Sequence, residues 1–356
     1  MKIAFVCESL SFGGIERVIS VLSDAFVEEG NSVSVLTSVS ADASYKINEK
    51  IKVTQLAYRK SGNSFVRAVD KIRSLCNNIK ENKYDVVIAF GFKCSSYTLL
   101  ARRGNKTKVV ISERTDPDSY ANKYLRKMRD IIYKKADLMV CQTEYVKEFY
   151  TKRKIKNIHV IPNPIKSNLP EPYVGERRKE IVNFCRLQKQ KNVLLLLQAF
   201  SDFHKVHPEY TLKIYGEGEL KDSLLEYIDS KNLSECVSIV DFTKDIHNKI
   251  LDSAMFVSSS NYEGISNSML ESLALGLPCV CTDCPVGGAS LVIENNVNGL
   301  LVPVKDREAL FKAMKYMADN PEKAAEMGRK ACAVRTRFSV ESIIEKWKKA
   351  LKSINL

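Results

Sequence analysis

Two glutamates, Glu263 and Glu271, have residue types and a spacing that could bind a sugar nucleotide. They stand eight residues apart, the first beside a glycine in a predicted loop and the second in the first turns of a predicted amphipathic helix. The N-terminus of a helix presents unpaired backbone N–H groups and a partial positive charge, which favour a phosphate group. Carboxylates on either side of such a terminus can accept hydrogen bonds from sugar hydroxyls. The segment therefore predicts a nucleotide-sugar site.

Two cations precede these glutamates at another transition from strand to helix. Arg186 and Lys191 follow the predicted strand Ile181–Cys185 and lead into a predicted helix. A guanidinium is a planar fork and an ammonium is a point charge, and both suit a diphosphate. A glycine turn, Gly216-Glu217-Gly218, ends the next predicted strand and is more typical of a tight turn than of a ligand contact.

Glycines also follow the first predicted strand of the chain. Gly13 and Gly14 stand between Ile3–Cys7 and a predicted helix, where they permit a ligand to approach the backbone closely. A flexible turn is the alternative interpretation. No G-x-G-x-x-G follows this strand, which counts against an enzyme that uses a nicotinamide or flavin cofactor.

Several of these features also have ordinary structural explanations. Ser268–Glu271 fits a capping box, in which the glutamate bonds back to the start of the helix, and Glu263 fits a solvated loop acid. Asp116-Pro117-Asp118 matches the D-x-D pair of metal-dependent transferases, but its composition is also that of a turn. Three cysteines have a spacing that could bind zinc: Cys279, Cys281 and Cys284. No fourth ligand is nearby, so packing in a strand is favoured over a metal site.

The predicted elements alternate between apolar strands and amphipathic helices, which indicates parallel sheets covered on both faces. Two prolines in Ile161–Ile165 interrupt the alternation, which then restarts. We predict an α/β protein with two doubly wound, Rossmann-like domains that face a central cleft. The N-terminal domain spans 1–165 and the donor-binding domain 166–339, and a helix at about 340–356 packs back near the first domain. Ligands of such sheets sit at the carboxyl ends of the strands.

The bulk composition of the chain bounds its class. Its 356 residues suggest two domains, and 45% hydrophobic residues are typical of a globular protein. No apolar run approaches the roughly 20 residues that span a bilayer, and a buried first strand is favoured over a signal peptide. Ten scattered cysteines indicate reduced thiols and a cytoplasmic location.

The net charge of +13 predicts an anionic partner. Basic residues concentrate at 123–135, where apolar residues interleave with them, and at 152–156. Both segments suit an anionic membrane surface, with a solvated helix face as the alternative. Nucleic acid is disfavoured because no nucleic-acid-binding motif accompanies the charge.

The ordered set of motifs resembles the retaining glycosyltransferases of the GT-B fold, family 4 (group 1). The resemblance covers nearly the whole chain. It rests on six segments: Gly13–Arg17, Ile161–Ile165, Arg186–Asn192, Tyr215–Gly218, Glu263–Pro278 and Asn298–Pro303.

The resemblance implies a role for each site residue. Arg186 and Lys191 would hold the donor diphosphate, Glu271 the ribose, and Glu263 the transferred sugar as the catalytic residue. Backbone N–H groups of four residues would meet the phosphate: Ser266, Asn267, Ser268 and Met269. Gly14 would let the first domain approach the phosphates, and Gly13 would lie on the side of the sugar and the acceptor. Such enzymes usually need no metal, because protein cations do the work of Mg²⁺, so no cofactor is expected.

One segment departs from the pattern of the family. Many relatives carry a histidine after the strand that matches Val109–Ser112, whereas this chain has Glu113 and Arg114 there. One of these two residues would then contact the sugar or the acceptor.

The resemblance implies transfer of a hexose or N-acetylhexosamine, with retention, from a UDP-sugar to a hydroxyl of a lipid-linked saccharide. The product would enter a capsule, exopolysaccharide or lipopolysaccharide, and the enzyme would work at the inner face of the plasma membrane. One alternative is a nucleotide-sugar 2-epimerase, which needs acid–base side chains. None of the four histidines lies in a predicted site loop: His159, His204, His207 and His247. A non-catalytic nucleotide-sugar binding protein is the other alternative.

Overall fold

A computed structural model describes residues 1–11, 13–40, 47–59, 61–102, 104, 106–119 and 122–356. The chain separates into two compact units. Unit 1 consists of Met1–Pro164 and Val340–Leu356, and unit 2 of Ile165–Ser339. Each unit encloses its own buried core of aliphatic and aromatic side chains.

Unit 1 contains a parallel sheet whose strands are almost wholly buried in its centre. Its described strands are β1 (Lys2–Cys7), β2 (Ser32–Thr37), β3 (Lys52–Gln55), β4 (Val86–Phe90), β5 (Lys108–Ser112), β6 (Leu138–Cys141) and β7 (Ile158–Val160). Its first helices are α1 (Gly14–Glu28), α2 (Ser64–Asn82), α3 (Phe92–Ala101), α4 (Lys123–Tyr133) and α5 (Glu144–Thr151). The strand order is β3-β2-β1-β4-β5-β6-β7.

Unit 2 repeats this architecture with a second parallel sheet. Its strands are β8 (Arg178–Phe184), β9 (Thr211–Tyr215), β10 (Val237–Val240), β11 (Ser253–Ser258), β12 (Cys279–Asp283) and β13 (Leu300–Pro303). Its helices are α6 (Val193–His204), α7 (Lys221–Ser230), α8 (Ile246–Ile250), α9 (Asn267–Ala274), α10 (Arg307–Asp319), α11 (Pro321–Ala331) and α12 (Val334–Arg337). The strand order is β10-β9-β8-β11-β12-β13.

The last helix, α13 (Val340–Lys352), belongs to unit 1. It packs on α1 and buries Ile343, Trp347 and Leu351. Lys348 donates to a carboxylate oxygen of Glu29 at 2.9 Å, just beyond the end of α1. The apolar face of this amphipathic helix is therefore buried against unit 1.

Both sheets reverse their strand order at an internal pair, β1–β4 in unit 1 and β8–β11 in unit 2. At such a switch point the connecting helices leave on opposite faces, which opens a crevice beyond the carboxyl ends of the two strands. The prediction of an α/β protein with two doubly wound parallel sheets is confirmed. The short strand β13 was not predicted, because four residues that end in a proline give little periodicity.

In the part of the chain that the structure describes, no helix is long and apolar enough to cross a membrane.

Candidate functional site

The loops that follow β8 and β11 are bonded to each other at the switch point of unit 2. The backbone N–H of Asn261 donates to the carbonyl of Gln190 at 2.8 Å, and the amide side chain of Gln190 donates to the carbonyl of Tyr262 at 2.9 Å. The side chain of Asn192 bonds that of Asn261 at 3.0 Å. These bonds hold two segments about 70 residues apart in sequence as one surface, which carries the predicted cations and glutamates.

Lys191 and Glu263 form an ion pair on this surface. The ammonium of Lys191 donates to Oε1 of Glu263, and each side chain is only 16% exposed. Burial alone would lower the pKa of Lys191, but the Glu263 carboxylate outweighs it, so the pKa of Lys191 is raised. The Ser260 hydroxyl approaches the same carboxylate oxygen at 3.4 Å. Lys191 is therefore a cation at neutral pH, and Glu263 is held beside it.

Arg186 lies at the start of the same loop and is exposed. Its guanidinium makes no hydrogen bond or ion pair with another side chain among the described residues. Its positive charge acts on Lys191 by lowering the pKa of that ammonium slightly. The loop thus offers an exposed cation next to a paired one, and both charges suit a diphosphate.

The glycine turn after β9 packs against the backbone of the loop that carries Arg186. A Cβ on Gly216 would overlap the carbonyl oxygen of Cys185, and one on Gly218 would overlap that of Leu187. Leu187 donates its N–H to the carbonyl of Glu217 at 2.8 Å. The turn therefore fixes the backbone on both sides of Arg186, and its role is close packing.

The N-terminus of α9 is capped by Ser266. Its hydroxyl accepts from the backbone N–H of Met269 at 3.4 Å and lies 2.9 Å from the Ser268 hydroxyl. The capping-box interpretation of Ser268–Glu271 is wrong, because the helix begins two residues earlier and places Glu271 beyond the first turn. The cap also occupies the Met269 amide, which was predicted to meet a phosphate.

Glu271 is buried, with 3% of its surface exposed, and its carboxylate has a histidine partner. Nε2 of His247 lies 2.8 Å from Oε2 of Glu271. None of the four histidines was predicted to lie in a site loop, and His247 reaches Glu271 from a helix instead. His247 stands on the short helix α8, outside any motif, and its burial beside Ile246 and Ile250 is the only local signal.

A small cavity of about 10 Å³ lies behind Glu263, lined in part by Ser260, Ser266 and Thr282. That volume suits about one water molecule in a polar setting. A wider groove of about 680 Å³ lies in unit 1 between the end of β3 and α2.

Glu113 follows β5 in unit 1 and is enclosed in the interior, with 2% of its surface exposed. Its Oε2 accepts from the hydroxyls of Tyr133 at 3.2 Å and Tyr150 at 3.4 Å, and burial raises its pKa. This position argues against the predicted contact with a sugar or an acceptor and for a structural role.

Arg114 is likewise buried in unit 1. It donates to the hydroxyl of Ser112 at 2.7 Å, to Oδ1 of Asn163 at 2.9 Å and to the carbonyl of Ile161 at 3.2 Å. Burial lowers its pKa to about 10, so it stays charged at neutral pH. These bonds connect the end of β5 to the segment after β7. They indicate a structural role for Arg114 and argue against the predicted contact with a sugar or an acceptor.

Gly13 and Gly14 lie at the carboxyl end of β1, where α1 begins at Gly14. A Cβ on Gly13 would overlap the carboxylate of Glu16, which lies over the start of the helix. A carboxylate in this position is stabilised by the helix dipole. The neighbouring Phe12 lies outside the described residues, and the ligand-approach role of the glycines stays a prediction.

The two candidate metal motifs have structural roles. Asp116 accepts from the backbone N–H of Asp118 at 2.8 Å, and its carbonyl accepts from Ser119, which makes a turn. The predicted cysteine cluster is buried, and burial raises the pKa of each thiol, that of Cys284 to about 11. Within the described ranges, no group of three or more acidic, cysteine or histidine side chains is arranged to hold a metal ion.

The basic segment 123–135 forms α4 and the turn after it. Four apolar side chains of α4 are exposed by 42% to 71%: Tyr124, Leu125, Met128 and Ile131. Four lysines beside them are exposed as well: Lys123, Lys127, Lys134 and Lys135. Arg129 was counted with this surface, but it is 1% exposed and donates to Asp130 and to the carbonyl of Pro117.

In the segment 152–156 the lysines are exposed, whereas Arg153 is half-buried. Its guanidinium donates to Asp130 at 3.0 Å and stacks on the Phe149 ring. Arg129 and Arg153 therefore share Asp130 and contribute to the structure of unit 1. The exposed lysines and the partly exposed Arg126 form the basic surface.

Comparison with solved structures identifies the fold of the protein. A mutant of S. aureus TarM in complex with Fondaparinux, alpha-GlcNAc-glycerol and UDP superposes with a TM-score of 0.83, over 98% of this chain and 99% of that one, at 17% identity. A likeness at that identity shows the fold, and the fold is that of the GT-B glycosyltransferases.

Family models define the family. The model described as Glycosyltransferase Family 4 matches residues 12–169, and the one described as Glycosyl transferases group 1 matches residues 167–333. The chain belongs to the group 1 glycosyltransferases.

Two relatives from Campylobacter jejuni align along most of the chain. One is named GalNAc-alpha-(1->4)-GalNAc-alpha-(1->3)-diNAcBac-PP-undecaprenol alpha-1,4-N-acetyl-D-galactosaminyltransferase and is 26% identical over 99% of both chains. The other is N-acetylgalactosamine-N,N'-diacetylbacillosaminyl-diphospho-undecaprenol 4-alpha-N-acetylgalactosaminyltransferase, 29% identical over 90% of both. Both names describe transfer of a sugar to a lipid-linked saccharide.

Proposed function

We propose that this glycosyltransferase moves an N-acetylhexosamine or a hexose, with retention, from a UDP-sugar to a hydroxyl of a lipid-linked saccharide. The product would enter a capsule, exopolysaccharide or lipopolysaccharide. The observation that carries the proposal is the Lys191–Glu263 pair, which stands beside the exposed Arg186 and ahead of the helix that holds Glu271. A carboxylate for the transferred sugar, two cations and a ribose anchor then meet in unit 2.

The cations suit the leaving group of the reaction. Transfer leaves a nucleoside diphosphate on which negative charge develops, and preorganised cations stabilise that charge in the transition state. Lys191 remains protonated because of Glu263, and Arg186 lies uncommitted beside it. The first turn of α9 adds a helix dipole. These groups also support transfer without a metal cofactor, and we expect EDTA to leave the rate unchanged.

Glu263 is proposed to contact the transferred sugar. Its carboxylate is fixed from one side by Lys191 and Ser260, so that little reorientation is needed when a sugar arrives. When the diphosphate attracts Lys191, the carboxylate gains capacity to accept a hydrogen bond from a sugar hydroxyl. The proposal gives Glu263 no proton-transfer role. The leaving phosphate would take the proton of the acceptor.

The donor and the acceptor are proposed from the comparisons. The two Campylobacter relatives are named as N-acetylgalactosaminyltransferases that act on undecaprenol-linked saccharides, and the TarM structure holds UDP. These names favour an N-acetylhexosamine over a hexose and UDP over other nucleotides.

The test is a screen of UDP-sugars for UDP release, with a membrane lipid extract as acceptor. We expect release that depends on the extract, and a Glu263→Ala variant that folds but transfers at least about 100-fold more slowly, the size of effect that loss of one transition-state group produces. Glu226→Ala, an exposed acid on α7, is the matched control. Donor epimerised at C2 without acceptor would indicate the epimerase, and UDP-sugar binding without transfer would indicate a binding protein.

We also propose that the exposed side chains of α4 and the lysines around it dock on an anionic membrane. Apolar side chains on one helix next to lysines match the interface of a bilayer that contains anionic lipid. A lipid-linked acceptor would be presented at that surface, on the cytoplasmic side of the plasma membrane where nucleotide sugars are available.

A further inference from the structure

We infer that His247 is a positioning residue for the nucleotide, because it holds the carboxylate of Glu271 in the orientation that grips the ribose. This inference rests on the proposed function, in which Glu271 binds the ribose hydroxyls. It assigns a role to a residue outside every motif of the sequence.

The two residues come from separate elements of unit 2. His247 lies on α8, before β11, and Glu271 lies on α9, after it, 24 residues further along the chain. Nε2 of His247 is 2.8 Å from Oε2 of Glu271, and 9% of the histidine and 3% of the glutamate are exposed. Helices on either side of one central strand are therefore joined through their buried polar side chains.

The chemistry of the pair fixes the direction of the hydrogen bond. An ionised carboxylate only accepts hydrogen bonds, so Nε2 of His247 carries the proton whenever Glu271 is ionised. A buried carboxylate is costly without such a donor, which makes this rotamer of Glu271 the favoured one. The two oxygens of a carboxylate share a plane, so a bond that fixes Oε2 also sets the direction of Oε1.

This orientation matters for affinity. A flexible glutamate must be ordered when the ligand binds, and that ordering reduces the free energy of binding. A glutamate already held by His247 avoids this loss. Partners one step removed from the ligand can act in the same way in metal sites, where their removal costs about 10- to 100-fold in affinity.

The test separates positioning from general stability by the choice of nucleotide. UDP and 2′,3′-dideoxy-UDP differ only in the ribose hydroxyls, and their affinities are measured by calorimetry for each variant. We expect His247→Leu, which removes the donor, to bind UDP about tenfold more weakly, which equals about 1.4 kcal/mol. The same variant should bind dideoxy-UDP as the wild type does. The KM for the donor should rise about tenfold with little change in kcat, the pattern of lost uniform binding.

The conservative variant is His247→Gln, whose side-chain amide can place an N–H near the position of Nε2. We expect it to restore UDP affinity to within about twofold of the wild type, well inside the tenfold that 1.4 kcal/mol represents. His207→Leu is the matched control, since His207 pairs with Asp319 in the same unit. If His247→Leu does not fold, His247→Asn replaces it, because its shorter amide cannot reach Glu271.

Two results would overturn the inference while the proposed function stands. One is equal affinity of His247→Leu and wild type for UDP, while Glu271→Ala binds it weakly. The other is an equal loss for UDP and dideoxy-UDP, which would make His247 a structural residue. A wild-type protein that binds neither nucleotide would instead refute the proposed function, and the inference with it.

Discussion

At the scale of single residues, the site is a set of charges that hold one another in place. Lys191 is kept protonated by Glu263, and Glu263 is kept in position by Lys191 and Ser260. The neighbouring Arg186 remains exposed. A diphosphate bound at the proposed site would meet one cation that is fixed by its partner and one that is exposed to solvent.

The first residue-scale prediction concerns Lys191. We expect Lys191→Gln to weaken UDP binding by about 10- to 100-fold, because a charge-assisted hydrogen bond contributes about 1.5–3 kcal/mol. Binding of uridine, which lacks phosphates, should not change. Calorimetric titration with both ligands makes the comparison, and Lys189→Gln, an exposed lysine on the same loop, is the control. An equal loss for uridine would mean that the substitution disturbs the whole site.

The second prediction concerns Glu113, whose pKa is raised by burial. Its carboxyl holds a proton to higher pH in the folded protein than in the unfolded chain, so its contribution to stability falls as pH rises above about 4.5. Glu113→Gln removes this titration and keeps an oxygen for Tyr133 and Tyr150. We therefore expect the variant to gain stability relative to the wild type as pH rises from about 5 to 8. Urea unfolding at several pH values measures the difference. A difference that does not change with pH would refute the assignment.

At the scale of elements, glycines place the loop of Glu263 by close packing. A Cβ on Gly288, in the connection between β12 and β13, would overlap the carbonyl oxygen of Gly264, next to Glu263. The same principle operates at Gly216, which supports the loop of Arg186. Backbone segments far apart in sequence thus set where two functional side chains stand.

The prediction is that Gly288→Ala displaces the Glu263 loop. Overpacking of this kind costs about 1–3 kcal/mol, and part of it should appear as movement of Gly264. We expect kcat to fall at least about tenfold while the protein stays folded at 25 °C, since a misplacement of about 1 Å can cost about 100-fold in rate. Gly299→Ala, in the same connection, is the control, because its Cβ would crowd the Cys279 carbonyl and Ile293 at 3.1 Å and not the Glu263 loop. Full activity of the Gly288 variant would show that the loop adapts.

A further element-scale prediction concerns α4. Replacing the four exposed lysines of α4 and the turn after it (Lys123, Lys127, Lys134, Lys135) by glutamine should reduce binding to vesicles with about 30% anionic lipid by at least about 100-fold, since each lysine near such a surface contributes about 1 kcal/mol. Changing Tyr124 and Ile131 to serine should weaken binding at high salt too, because apolar insertion is not screened. Flotation with vesicles measures both, and glutamine at four lysines of unit 2 is the control: Lys312, Lys315, Lys323 and Lys330. Unchanged binding would make α4 a solvated helix.

At the scale of the whole molecule, each unit has its own core, and the proposed nucleotide contacts treated above lie in unit 2. A ligand at 100 times its Kd stabilises the structure that binds it by about 2.7 kcal/mol. We expect saturating UDP to slow hydrogen exchange most in β8, β11 and α9, and less in β1 and β4 of unit 1. Exchange followed by mass spectrometry tests this, with uridine as the control. Equal protection in both sheets would contradict it.

What the sequence determined by itself is the succession of strands and helices and the residue types at their junctions. Apolar runs such as Val86–Phe90 and the two prolines of Ile161–Ile165 act locally, so the two parallel sheets could be predicted from them. Arg186 and Glu263 were found in the same way, because each follows a strand of one sheet.

Only the tertiary structure decided which side chains meet. His247 bonds Glu271 and Lys191 bonds Glu263 across 24 and 72 residues of chain, and Glu113 is turned into the interior of unit 1. Arg129 is absent from the predicted basic surface for the same reason, because its buried side chain donates to Asp130 and to the Pro117 carbonyl. Periodicity reports whether a residue is on a buried face, but partners are fixed by packing between elements, which no local pattern encodes.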